Sequence, residues 1–176
     1  TALVRFGLPG NGRATLESTG GRIANRSFGS LGGAATWHVA DAEGGWSGDV
    51  SAWGAITNPG APAQTLYLLG GRMTLPGHDY RAFAGQAYWM ARVEGTVPIH
   101  PPWVSLRAFA AVGATYLGEA TLPDGWAARD SNGPRGSVGL GLAFGWDSIR
   151  LDVGRAVGGS GWEAVVSAAP DFRNWM

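Results

Sequence analysis

Between Ser137 and Gly145 the chain reads SVGLGLAFG: every second residue is bulky and apolar, and the ones between are serine, alanine or glycine. Successive side chains of a strand point to opposite faces, so a period of two separates an apolar face from a small or polar one. The same pattern recurs elsewhere. Val104, Leu106, Ala108, Ala110 and Val112 alternate with Ser105 and Arg107; Ile149, Leu151 and Val153 with Arg150 and Asp152; Trp89, Ala91, Val93 and Val97 with Arg92, Glu94 and Thr96. No apolar period near 3.6 persists, and 30 glycines interrupt every candidate helix. Eight segments bounded by turn residues are predicted strands: 12–21, 28–40, 45–57, 86–98, 103–117, 136–146, 148–157 and 162–172.

The connections DAEGG, HPP and DS are short. GGRIANRS and GEATLPDGWAARDSNGPR are longer, and the longest spans 58–85; GGSG is the short exception on the long side. Short turns at one end and long loops at the other predict an all-β fold, an antiparallel up-and-down transmembrane β-barrel of eight strands. It would span residues 12–172, with a long extracellular loop after the third strand. Residues 1–11 are expected to be an N-terminal segment or periplasmic linker, and 173–176 a C-terminal tail. The start TALVRFGLPG lacks an initiator methionine and a signal-peptide pattern, so the chain is expected to be processed or excised from something longer.

Alternation does not say which face is outside. A soluble sandwich buries the apolar face, and a membrane barrel exposes it to lipid. The polar face carries Arg13, Glu17, Asp49, Arg92, Glu94, Arg107, Arg150, Asp152 and Glu163, both signs in near balance, as a self-satisfying network in a narrow lumen requires. The strands run to about 10 residues or more, as spanning strands do. Tryptophans lie near strand ends, where an interfacial girdle sits. The expected lipid-facing and girdle residues are Trp37, Trp46, Trp89, Trp103, Val138, Leu140, Leu142, Phe144, Trp146, Ile149, Leu151, Trp162, Val166 and Phe172.

Composition narrows the chemistry. Formal net charge is zero and gives no reason to expect a nucleic-acid partner. There is no cysteine, hence no disulfide or thiol chemistry. His38, His78 and His100 lie far apart without metal-ligand spacing, and no nucleophile-elbow motif appears. GLGLAFG lies within a strand, which is the wrong context for a nucleotide loop. Its glycines instead clear space on one wall for bulky groups such as Trp53 and Phe109, or for an infolded loop. No cofactor, metal or catalytic residue is expected.

Three stretches carry a family resemblance. LYLLGGRMTLPGHDYRAFAGQAYWMARVEGTVPI, RGSVGLGLAFGWDSIRLDVGRAV and WEAVVSAAPDF together resemble the C-terminal half of barrels in the outer-membrane assembly-factor superfamily, the BamA/TamA-type bacterial surface antigen family. The resemblance implies that the loop holding Leu75, Pro76, Gly77, His78, Asp79, Tyr80 and Arg81 folds back into the lumen. It also implies a terminal strand ending in an aromatic assembly signal, read by the barrel-assembly machinery. Pro76 stands where the family has a lumenal arginine, and Ala111 where it has the matching aspartate; whether Arg81 replaces that arginine by reaching Glu94 is left open by the sequence. The family's barrels have sixteen strands, whereas an eight-stranded interior holds side chains only. The expected function is therefore a non-catalytic anchor in the bacterial outer membrane, its partner the lipid bilayer, carrying a fused domain such as a hydrolase. The alternative is an assembly or secretion pore formed by two copies pairing as a homodimer, and a third reading is a soluble, ligand-binding β-sandwich.

Overall fold

The computed structural model describes residues 1–23, 25–145, 148–159 and 161–168. It is all-β. Nine strands form one antiparallel sheet: β1 (Ala2–Leu8), β2 (Gly12–Ile23), β3 (Arg26–Ala40), β4 (Ser47–Thr57), β7 (Ala87–His100), β8 (Val104–Tyr116), β9 (Arg135–Phe144), β10 (Ile149–Ala156) and β11 (Trp162–Ala168). Two short strands, β5 (Tyr67–Leu69) and β6 (Phe83–Gly85), pair with each other inside the long β4–β7 connection. Spatial order follows chain order, so every neighbour is reached by a simple up-and-down connection. No helix is long and apolar enough to cross a membrane, which says nothing about crossing by strands.

Two expectations are corrected. The main sheet has nine strands, not eight, because ALVRFGL, expected to be linker, is strand β1 paired with β2 from Ala2↔Ser18 to Leu8↔Gly12. Only three residues join them, and Gly10 and Asn11 both take positive φ, 69° and 60°. Glycine and asparagine tolerate that conformation, so PGN can turn the chain at once. The second correction concerns closure. Among the described residues β1 and β11 do not pair, so the sheet is open where a closed barrel was expected. GGRIANRS is also a tight hairpin: β2 runs to Ile23 and β3 resumes at Arg26.

The register sorts the side chains into two faces. Val4, Leu16, Trp37, Val50, Val93, Val97, Leu106, Leu140, Leu151 and Val166 lie on one, continuous from β1 to β11. The opposite, inner face carries the long β4–β7 connection. Its core is Leu69, Leu75, Phe83, Met90 and Ala111, with Trp53, Ala82 and Tyr88 packed around it. All the turns at one end are short (9–11, 41–46, 101–103, 145–148), and both long connections, 58–86 and 117–134, emerge at the other.

The long connections are stitched to one another. Ala84 N–H donates to Arg129 O (2.9 Å) and Arg129 N–H to Ala82 O (3.0 Å). Thr115 and Ser131 are both fully buried and bond reciprocally: Thr115 N–H to Ser131 Oγ at 3.0 Å, Ser131 N–H to Thr115 Oγ1 at 3.2 Å, and Ser131 Oγ–H to Thr115 O at 3.2 Å. Buried polar groups need such partners. Residues 129–131 of the 117–134 connection are thereby tied to the β4–β7 connection and to the end of β8.

Candidate functional site

Arg107 sits in the middle of β8 on the inner face and is only 1% exposed. Across β9 its register partner is Gly141, and beyond that on β10 lies Asp152. A side chain at Gly141 would stand between the two: a Cβ built there collides with the Asp152 carboxylate and meets Leu151 O at 2.7 Å. With none, Arg107 Nη1 donates to Asp152 Oδ1 and Oδ2 at 2.9 and 3.0 Å. Its Nη2 donates to Glu94 Oε1 on β7, and Arg92 Nη2 reaches Glu94 Oε2 at 3.0 Å. The Arg92 guanidinium also lies 4.5 Å from the centre of the Phe109 ring. Two arginines and two carboxylates thus satisfy each other, Arg107 buried and the other three partly shielded from solvent, so that an unpaired charge at Arg107 would be costly. Arg150 lines the same cleft, of about 260 Å³, beside Glu94 and Asp152.

One row further along, Gly139 and Gly154 make room for larger groups. The Phe109 ring occupies the space above Gly139, and Pro76 from the loop fills the space above Gly154. Gly139 thus clears the wall for Phe109, as expected, whereas Gly141 makes room for the Asp152 carboxylate, Trp53 is not among the groups these glycines meet, and Gly145 lies beyond the strand with open space beside it.

The loop docks through its first half. Leu75 is fully buried in the core cluster. Gly77 has φ 86° and packs so closely on the backbone of Ala156 and Gly161 that a side chain has no room. Its N–H donates to Glu163 Oε2 on β11 at 3.2 Å. His78 Nε2–H donates to Gly136 O at 3.0 Å, and its ring meets Phe83 edge-on at 5.3 Å. Asp79, Tyr80 and Arg81 are exposed. The question left open for Arg81 is answered: it stacks on Tyr80 at 4.9 Å, while Glu94 is held by Arg107 and Arg92. At φ 56°, Arg81 forms the outer bend of the loop, its N–H directed back to Gly70 O. The ion pair thus lies within the wall and not between loop and wall.

The nine polar residues share the inner face but do not form one network. Arg92, Glu94, Arg107 and Asp152 cluster, with Arg150 beside them, and Glu163 binds the loop. Arg13 and Glu17 lie exposed on β2, and Asp49 on β4 pairs with His38 at 2.9 Å. Among the apolar set, Trp37, Trp89, Val138, Leu140, Leu142, Phe144, Ile149, Leu151, Trp162 and Val166 share the opposite face, while Trp46 and Trp103 are exposed in turns. Trp146 and Phe172 lie outside the described residues. No cluster of three or more metal-ligating side chains occurs among the described residues.

Sequence reasoning missed Ser131, Thr115 and Arg135. Arg135 Nε donates to Ser131 O at 2.7 Å and its guanidinium stands 5.7 Å from the Phe83 ring centre. Ser131 lies in an irregular segment with no periodicity to read, and Thr115 and Arg135, near the ends of β8 and β9, find their partner only there. No family model and no curated protein matches the chain.

Proposed function

We propose that this chain is a membrane-embedded β-sheet of a bacterial outer-membrane barrel, serving as an anchor whose lumenal side is blocked by its own loop. One observation carries the reading, the inversion of polarity. Arg107 is 1% exposed, while Leu140 and Val166 are 62% and 71% exposed on a face that runs across nine strands and carries Arg155, stacked on Trp162, near the long-loop end. In water such a face is an aggregation surface; in a bilayer it is the required exterior.

The aromatic residues support the same reading. Trp37, Trp46 and Trp103 lie toward the short-turn end; Trp89, Tyr116 and Trp162 lie at the long-loop end, where Trp89 Nε1–H donates to Tyr116 Oη at 3.3 Å. Amphipathic rings in two bands suit the two membrane–water interfaces. The resemblance of the loop and last strands to the outer-membrane assembly factors points the same way. With Leu75, Pro76 and Phe83 seated on the inner face, the geometry suits anchoring better than polypeptide transport.

The test is insertion of charge into the exposed face. Leu140→Arg and Val166→Arg should each lower membrane assembly, by about 2–4 kcal/mol where the residue lies at mid-bilayer. Heat-modifiable gel mobility and resistance to carbonate extraction report it. Full assembly of both variants, or improved solubility without loss of folding, would mean the apolar face does not meet lipid.

A further inference from the structure

Beside the docked loop, the inner face of β2–β4 holds a cleft of about 270 Å³ walled by three rings: Trp53 on β4, Tyr88 on β7 and Tyr67 on β5. The two tyrosines stand 4.9 Å apart, tilted by 38°, and Trp53 and Tyr88 are backed by the core cluster. Glu17 on β2 lines the opposite side. In register Glu17 and Tyr88 belong to one row, with only Gly32 and Ala55 between them. Three strand spacings put their backbones roughly 14 Å apart over a floor without bulk. A Cβ at Gly32 would meet Ala55 Cβ at 2.9 Å, so glycine keeps that floor low.

Ring faces are negative and attract cations. Elsewhere the chain supplies its own: Arg81 lies over Tyr80, Arg92 over Phe109, Arg135 over Phe83 and Arg155 over Trp162. No arginine lines this cleft, and among the described residues none stacks on Trp53, Tyr67 or Tyr88. Its one charge is the Glu17 carboxylate. The arginines stand next door. Thr15 and Ala34 also line a second cleft, of about 480 Å³, where Arg5 and Arg13 are exposed. These two are diagonal neighbours across the β1–β2 pair, roughly 7–8 Å apart at the backbone. Neither is in an ion pair among the described residues. Two like charges so placed favour an anion between them.

We propose that the two adjoining clefts together bind a small zwitterion of the phosphocholine type, its quaternary ammonium among Trp53, Tyr67, Tyr88 and Glu17 and its phosphate at Arg5 and Arg13. A quaternary ammonium suits the ring-walled cleft because it needs no hydrogen bond, only aromatic faces and a counter-charge. A phosphate suits the arginines, whose paired N–H donors match its oxygens. A bare cation would be repelled by Arg5 and Arg13, and a bare phosphate by Glu17, so the clefts select a ligand carrying both charges. Both clefts lie on the inner face, and the site is independent of whether lipid meets the outer one.

The test is calorimetric titration of the whole protein in maltoside detergent, which carries neither group. The probes are phosphocholine, choline chloride, inorganic phosphate and neohexyl phosphate, in which carbon replaces the choline nitrogen. Phosphocholine should bind at least about tenfold more tightly than each of the others. Trp53→Leu should weaken it by about tenfold, and Trp53→Phe by less, because a ring remains. Glu17 and Arg13 are exposed, so Glu17→Gln and Arg13→Gln probe the site without touching the core. The first should weaken both phosphocholine and choline; the second should erase most of the preference for phosphocholine over choline. Competition by phosphatidylcholine vesicles assigns the site to a lipid headgroup, and its failure to a free phosphate ester. Equal affinity for the carbon analogue overturns the proposal. So does choline or phosphate binding as tightly as phosphocholine, or a folded parent protein that takes up no phosphocholine.

Discussion

Arg107 shows how a single buried charge organises its surroundings. Its guanidinium is shared by Glu94 and Asp152, and the contact with Asp152 exists only because Gly141 leaves the intervening strand bare. Removing one partner from a buried ion-pair set leaves the others uncompensated, which typically costs about 3–5 kcal/mol. Arg107→Leu should therefore destabilise the assembled protein by that order, read from the urea midpoint of unfolding in detergent or lipid. The triple variant Arg107→Leu, Glu94→Gln, Asp152→Asn removes all three charges and should recover much of the loss. Equal stability of the single and triple variants would mean the cluster is not acting as a buried unit. Gly141→Val is expected to resemble Arg107→Leu, since its side chain takes the place of the Asp152 carboxylate.

At the scale of elements, the long loop is held by shape and backbone. Leu75 fills the core, Pro76 fills the space left by Gly154, and Gly77 presents its N–H to Glu163. Leu75→Ala should weaken docking by about 2–5 kcal/mol, the usual cost of such a deletion in a packed site. Limited proteolysis within residues 70–82 should then accelerate, while the nine-stranded sheet stays folded. Glu163→Gln keeps an acceptor for Gly77 N–H and should have a smaller effect than Glu163→Leu. Identical cleavage rates for all three variants and the parent would show that these contacts do not hold the loop. Pro76 is instructive here, because its role as a packing element on Gly154 cannot be read from the loop's sequence. Only the fold shows that the charge pairing lies within the wall, between β7, β8 and β10, and that the proline packs on Gly154.

For the molecule as a whole, the alternation of side chains was legible throughout. The nine polar positions from Arg13 to Glu163 lie on one face, and the ten strand positions of the apolar set that the structure describes lie on the other. That assignment needs only the two-residue repeat of an extended chain, a local property written residue by residue. The strand count was less legible, because ALVRFGL is short and precedes a three-residue turn, and nothing local distinguishes such a segment from an apolar linker. That Glu94 and Asp152 form a salt-bridge group with Arg92, Arg107 and Arg150 was legible from their shared face; which of them bond directly, and through what gap, was not. Arg107 and Asp152 are separated by 45 positions and joined across a glycine; Thr115 and Ser131 find each other only because 117–134 folds back over the inner face. The edges follow the same division. Alternation is satisfied by an open sheet and a closed ring alike, since it concerns the faces of strands. Whether β1 meets β11 is a property of the assembled sheet, in which the two stand at opposite edges among the described residues.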